Sequence, residues 1–211
     1  MKGTIAEHTA GRVARFSRVV AGPMAAAAAS LMTGLALSAS ACAADAAQVQ
    51  VSQTAMVVEH VTVTTPKPYA AVKQDLEGRI GRLDDSIRTL LRENRVDELR
   101  AALTRAAGKD GLVLHYTGVH GDWLILKGAG QNVTEYFIGN ILSAVEMTSV
   151  DKAAGLYAPL RIVLYENAQG GSTIEYDKPS TQLSQYHSPA IDTVGRSLDD
   201  RLARLVTAVS E

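Results

Sequence analysis

A single cysteine, Cys42, stands in the whole 211-residue sequence, so no disulfide can close within the chain even in an oxidising compartment. Because Cys42 precedes the folded part, thiol catalysis is excluded from the domain as well. His60, His115, His120 and His187 show no HxxxH, HxH or Cys-His spacing, so no metal and no cofactor is expected. No G-x-S-x-G elbow is present to set up a serine nucleophile. Lys127-Gly128-Ala129-Gly130 fits neither the Walker spacing nor GxGxxG, which leaves its glycines as turn residues. A basic stripe is also missing, and without phosphate neutralisation nucleic acid is not expected as a partner.

What the chain does have is ordinary globular composition, 46% hydrophobic and 20% charged, with room for one core and some extra sequence. Lys2, Arg12, Arg15 and Arg18 precede an Ala-rich apolar run from Val19 to Leu37, and small residues follow to Ala43. A basic start, an apolar middle and a small-residue exit predict a secretory signal over residues 1–43. The alternative is a membrane anchor, since the run approaches the ~20 apolar residues that spanning needs, but Gly22, Pro23 and Gly34 interrupt it. Ala39-Ser40-Ala41-Cys42 resembles a lipoprotein box, which would make Cys42 a lipidated N-terminus. A cut after Ala41-Cys42-Ala43 would instead release a soluble periplasmic protein beginning at Ala44. Without residues 1–43 the chain carries 17 Lys and Arg against 21 Asp and Glu, a net charge of −4.

Residues 44–55 read as a tether and 56–211 as a single domain. Met56 to Thr64 alternates as a strand. Tyr69, Val72, Leu76 and Ile80 then form a helical stripe with Pro68 at its start. Ile87, Leu90 and Leu91, followed by Val96, Leu99 and Leu103, extend the helical segment. Gly111–Gly118, Asp122–Lys127 and Val133–Ile138 read as a three-stranded meander. A short helix is predicted between Leu142 and Ala154. Ser188-Pro189 marks the N-terminus of a terminal helix whose stripe is Ile191, Val194, Leu198, Leu202, Leu205 and Val209.

The clearest pairing lies in Leu160–Glu166 and Ser172–Asp177, joined by Asn167-Ala168-Gln169-Gly170-Gly171, which predicts a hairpin. With Glu166 opposite Ser172, Leu164/Ile174 and Ile162/Tyr176 make one apolar face. Tyr165/Thr173, Val163/Glu175 and Arg161/Asp177 fall on the other. The expected fold is α+β, an antiparallel sheet of about five to six strands packed against the C-terminal amphipathic helix and an N-terminal helical segment.

Tyr136-Phe137-Ile138-Gly139-Asn140, Met147-Thr148, Leu156-Tyr157-Ala158-Pro159-Leu160-Arg161, Val163-Leu164-Tyr165-Glu166 and Glu175-Tyr176-Asp177-Lys178-Pro179-Ser180 occur in order. Together they resemble the domain of unknown function 302 family, over roughly Val133 to Val206. The resemblance implies a compact α+β domain and no established activity. The sequence departs from it at Ile141, where the family usually has Pro. The helical stretch from Gly81 to Ala107 also looks longer than the family's minimum.

Polar residues gather at this signature. Asn140, Arg161, Tyr165, Glu166, Glu175 and Asp177 are the ligand-binding candidates, with Tyr157 and Tyr176 beside them and Cys42 as the lipidation candidate. Carboxylates near an Arg suit general acid-base work, or a cross-strand ion pair between Arg161 and Asp177 that fixes register. The sequence-based expectation is an exported envelope module, non-catalytic, binding a small molecule or a protein, with self-association left open and the membrane reached only through a lipid on Cys42. A hydrolase or isomerase using these carboxylates is the alternative, and it requires two of Glu166, Glu175 and Asp177 to converge in one pocket.

Overall fold

Strands with one apolar face form where a core lies on one side only. The computed structural model describes residues 49–211, so the predicted signal, Cys42 and the start of the tether lie outside the described residues. Val51–Glu211 forms one compact unit. Its strands are β1 (His60–Thr65), β2 (Gly81–Arg82), β3 (Val113–Gly118), β4 (Val133–Gly139), β5 (Leu160–Glu166) and β6 (Ser172–Asp177). They build one sheet in the order β1-β6-β5-β4-β3-β2, antiparallel throughout except for the short parallel contact of β2 with β3.

The β5–β6 register is the predicted one, Glu166 opposite Ser172 through Ile162 opposite Tyr176. Asn167 makes the turn: its carboxamide oxygen accepts from the backbone N–H groups of Gln169 and Gly171, and its Nδ2 donates to the carbonyl of Ser172. Gly170 takes φ +80° there, a conformation that glycine adopts without penalty. A Cβ on Gly171 would lie 2.2 Å from the Thr65 carbonyl oxygen, so this glycine lets the hairpin tip close on the end of β1.

Helices α1 (Tyr69–Arg79), α2 (Asp85–Arg92), α3 (Val96–Ala106), α5 (Ile141–Val150) and α7 (Pro189–Ser210) are joined by two shorter ones, α4 (His120–Trp123) and α6 (Pro179–Leu183). The α7 stripe is buried as predicted, from Ile191 to Val209. It packs with Val72 and Leu76 of α1 and with Tyr136, Ile138, Ile162, Leu164 and Ile174 of the sheet. Ser188 precedes α7, but its side chain makes no capping bond. A second, smaller cluster of Ile87, Ala102 and Leu103 closes α2 and α3 against Ile141 and Leu142. Leu91, read as part of that stripe, is exposed instead.

One predicted strand is absent. Asp122–Lys127 is the end of α4 followed by a 3₁₀ turn over Leu124–Lys127, so β3 pairs directly with β4 and there is no three-stranded meander. Four consecutive apolar residues have no period of their own, and a short run of this kind suits a strand or a helical turn equally. Trp123 is 73% exposed and Leu126 79%, so no core selects a strand there. The first predicted strand is also shorter than expected, beginning at His60 rather than Met56.

Candidate functional site

Because α7, α1 and the core residues cover one face of the sheet, the alternate residues of each strand form an open second face. Across it, His60 stands opposite Asp177 and Thr62 opposite Glu175. Val163 pairs with both Glu175 and Glu135 on its two flanks, and Arg161 is opposite Phe137. A bulge at His115 shifts β3 by one residue, the usual effect of an extra residue being to re-aim its neighbours. Tyr116 then meets Phe137 edge to face, with ring centroids 5.6 Å apart.

The predicted site residues divide on this face. Glu175 and Asp177 come together through a residue that sequence reasoning set aside. His60 Nδ1 lies 2.9 Å from Asp177 Oδ1 and its Nε2 3.1 Å from Glu175 Oε2. Since both partners are carboxylates, the arrangement favours the imidazolium form, in which both ring nitrogens donate. Tyr165 donates its hydroxyl to Glu175 Oε1 at 2.6 Å. This bond and the one from His60, against the cost of burial, hold the Glu175 carboxyl below the usual range, while Tyr165 is pushed up by the same contact. His60 is raised, by Asp177 first and Glu175 second.

The sign of the resulting pH effect follows from linkage. A folded-state value raised above the ordinary 6.5 makes the His60 bridge fully stabilising below that ordinary value. The contribution is lost as pH rises through the raised one. Because the ring is about half exposed, the effect is small and salt-sensitive. The stability difference between the wild type and His60→Gln, from urea unfolding, should therefore shrink as pH rises from well below to well above the ordinary histidine value. A difference that grew with pH would contradict the bridge.

Arg161 and Asp177 lie on the same face, as the register requires, but the anticipated ion pair between them is not made. Asp177 is engaged by His60 and, at 3.4 Å, by the Gln182 amide, and Arg161 has no ionic partner among the described residues. It lines a cleft of about 470 Å³ with Phe137, Leu156, Tyr157, Pro159, Asp177 and Gln182. One wall is the segment Leu156–Arg161, whose Ala158–Pro159 peptide is cis. Tyr157 anchors that wall: its hydroxyl accepts from Gln185 Nε2 at 2.8 Å, and its ring meets Tyr186 edge to face at 6.3 Å. Tyr186 in turn donates to the Ala153 carbonyl.

The other candidates are elsewhere. Glu166 sits at the hairpin end, accepting from Asn132 Nδ2 at 2.6 Å, beside a separate polar groove lined by Asp122 and Asn167. Asn140 is the N-cap of α5: its Oδ1 accepts from Ser143 N–H and its Nδ2 donates to the Gly111 carbonyl, both at 2.9 Å. Through these two bonds it ties the start of α5 to the turn before β3, and it also lines a separate cleft with Ser143 and Arg201. Ile141 occupies the first position of α5, a place where proline is at home because no N–H is needed. Tyr176 belongs to the core. Glu175 and Asp177 meet at His60, but none of five well-formed clefts among the described residues is lined by two of Glu166, Glu175 and Asp177. Among the described residues no three His, Cys, Asp or Glu side chains are placed to hold one metal ion, and His60 meets its two carboxylates through opposite ring nitrogens.

Comparison with known proteins agrees with this fold. The family profile described as "Domain of unknown function DUF302" matches residues 87–209. The match takes in most of α2 and the whole of α3. A similar solved structure is that of the uncharacterized conserved protein DUF302 from Bacillus stearothermophilus, 17% identical, covering 72% of this chain and 98% of that one with a TM-score of 0.50. No curated protein matches the chain.

Proposed function

Because the chain belongs to the family of domain of unknown function DUF302, we propose that it works as an exported, non-catalytic module that binds a small molecule in the cleft beside Leu156–Arg161. The observation that carries this reading is the guanidinium of Arg161, without an ionic partner among the described residues, on a cleft lined mainly by apolar and aromatic residues, with Asp177 and Gln182 as its other polar groups. About 470 Å³ is within the ordinary size range of small-molecule sites, and a few convergent polar groups on a largely apolar lining are typical of them. Glu175 and Asp177 meet at His60 on an open sheet face rather than together in one cleft, which favours binding over acid-base catalysis. Export is supported by the basic, apolar and small-residue succession of residues 1–43.

Protein recovered from its own host tests both halves. Mass spectrometry should place its N-terminus at Cys42 with lipid attached, or near Ala44 without it, and an intact chain in the cytosol would refute export. The same material, screened by thermal shift against small-molecule metabolites, should be stabilised by at least one of them. Leu156→Asp should abolish that stabilisation while leaving the unliganded melting temperature unchanged, because Leu156 is 80% exposed. Retention of binding by this variant would move the site out of the cleft.

A further inference from the structure

We infer that the cleft recognises a small monoanionic carboxylate with an apolar or aromatic body, held through Arg161; this rests on the reading of the cleft as a ligand site. A guanidinium offers planar paired donors that match a carboxylate or a phosphate, and it is left without an acceptor here. On the neighbouring strand, Asp177 lines the same cleft but makes no ion pair with it. One of its oxygens is taken by His60 Nδ1 and the other faces the Gln182 amide, so the obvious internal competitor for Arg161 is already occupied. The choice between anions follows from the same residue. Asp177 places a carboxylate on the cleft lining, and an acidic group nearby disfavours a dianion more than a monoanion. A carboxylate is therefore preferred to a phosphate monoester.

The rest of the lining sets the body of the ligand. Phe137, Leu156, Pro159 and Leu160 provide apolar wall, and the Phe137 ring makes an edge-to-face contact with its cross-strand neighbour Tyr116. An aromatic ring or short acyl chain lying on Phe137 and Pro159 would exclude water from around the guanidinium, which strengthens the ionic hydrogen bonds. Gln182 and Tyr157 stand at the same cleft, but the Tyr157 hydroxyl is occupied by Gln185, so charge recognition falls to Arg161.

The test uses the full chain, ¹⁵N-labelled, with matched probes: benzoate and hexanoate, their neutral amides benzamide and hexanamide, and phenyl phosphate. Benzoate or hexanoate should shift the resonances of Phe137 and of Leu156–Arg161, and should bind roughly ten- to a hundredfold more tightly than its amide, as a hydrogen-bonded charge contributes. Phenyl phosphate should bind more weakly than benzoate. Arg161→Gln should reduce carboxylate affinity to that of the amide, and Arg161→Lys should recover only part of it because the fork is lost. Arg161 has no internal partner, so both variants should melt with the wild type, which separates lost recognition from lost folding. Equal shifts from carboxylate and amide at these residues, unchanged in Arg161→Gln, would overturn the carboxylate assignment and leave the ligand cleft standing. Tighter binding of phenyl phosphate would overturn the choice of anion. If none of the probes perturbs the cleft, the assignment falls, and the broader reading is then decided by the metabolite screen.

Discussion

Arg79→Ala is expected to cost about 3–5 kcal/mol, the range seen when one partner of a buried ion pair is removed and the other is left behind. Arg79 ends α1, and Asp110 lies in the turn that leads into β3. The guanidinium holds the carboxylate with two bonds, Nε to Oδ2 at 2.8 Å and Nη2 to Oδ1 at 3.0 Å. The backbone reinforces the join, as Lys109 N–H donates to the Arg79 carbonyl. The partners differ in burial: the Asp110 side chain is 6% exposed and that of Arg79 27%. Deleting the arginine therefore leaves a largely buried carboxylate without its ionic partner. Deleting the acid leaves a guanidinium that water can still reach, so Asp110→Ala should cost less than Arg79→Ala. In urea unfolding, the double variant should be more stable than the sum of the single losses implies. A loss from Arg79→Ala of under about 1 kcal/mol, typical of a surface pair, would mean that Asp110 is hydrated. Against a total stability of about 5–15 kcal/mol, the expected loss is large for a site that touches none of the cleft.

The contrast between Arg79 and Arg161 shows which parts of the molecule were legible in the sequence. The β5–β6 register could be read because both strands lie within one short stretch and a strict alternation separates their faces. That placed Arg161 and Asp177 side by side correctly. Their expected ion pair failed because a competitor arrives from far away, His60 on β1 being 117 residues from Asp177. Nothing local announces that contact, and a lone histidine in an alternating strand is indistinguishable from a surface one. The Arg79–Asp110 pair is hidden for the same reason, formed only when α1 packs beside the entry to β3.

Asn140 has a role that a local signal announces. An asparagine immediately before a helical stripe is an N-cap signal, and the structure shows that cap. The cleft itself was half visible: its wall is the Leu156–Arg161 signature, but a search for titratable groups passes over Phe137, Leu156 and Pro159. Apolar lining is recognised only once the sheet has curved a loop back over it. Asp122–Lys127 is the converse, an apolar run that invites a core element and ends up exposed because its neighbours close the sheet without it.

Leu202→Ala should destabilise the domain by about 2–5 kcal/mol, the range for emptying a fully buried leucine. Leu202 is 0% exposed and sits near the middle of the α7 stripe, in the cluster that joins α7 to α1 and the sheet. Because α7 runs from Pro189 to Ser210 across this core, a cavity there weakens the whole unit rather than one end of it. Thermal unfolding should stay cooperative, with a single lowered midpoint. Exposed Leu91→Ala, by contrast, should stay within about 0.5 kcal/mol of the wild type. The cleft lies on the other side of the sheet, so below its midpoint Leu202→Ala should bind benzoate as the wild type does. Arg161→Gln should show the opposite behaviour, full stability and lost affinity. If Leu202→Ala lost affinity while still folded, the two faces of the sheet would be mechanically coupled, and the rigid placement of Phe137 and Arg161 by the core beneath them, on Tyr136 and Ile162, would be the route.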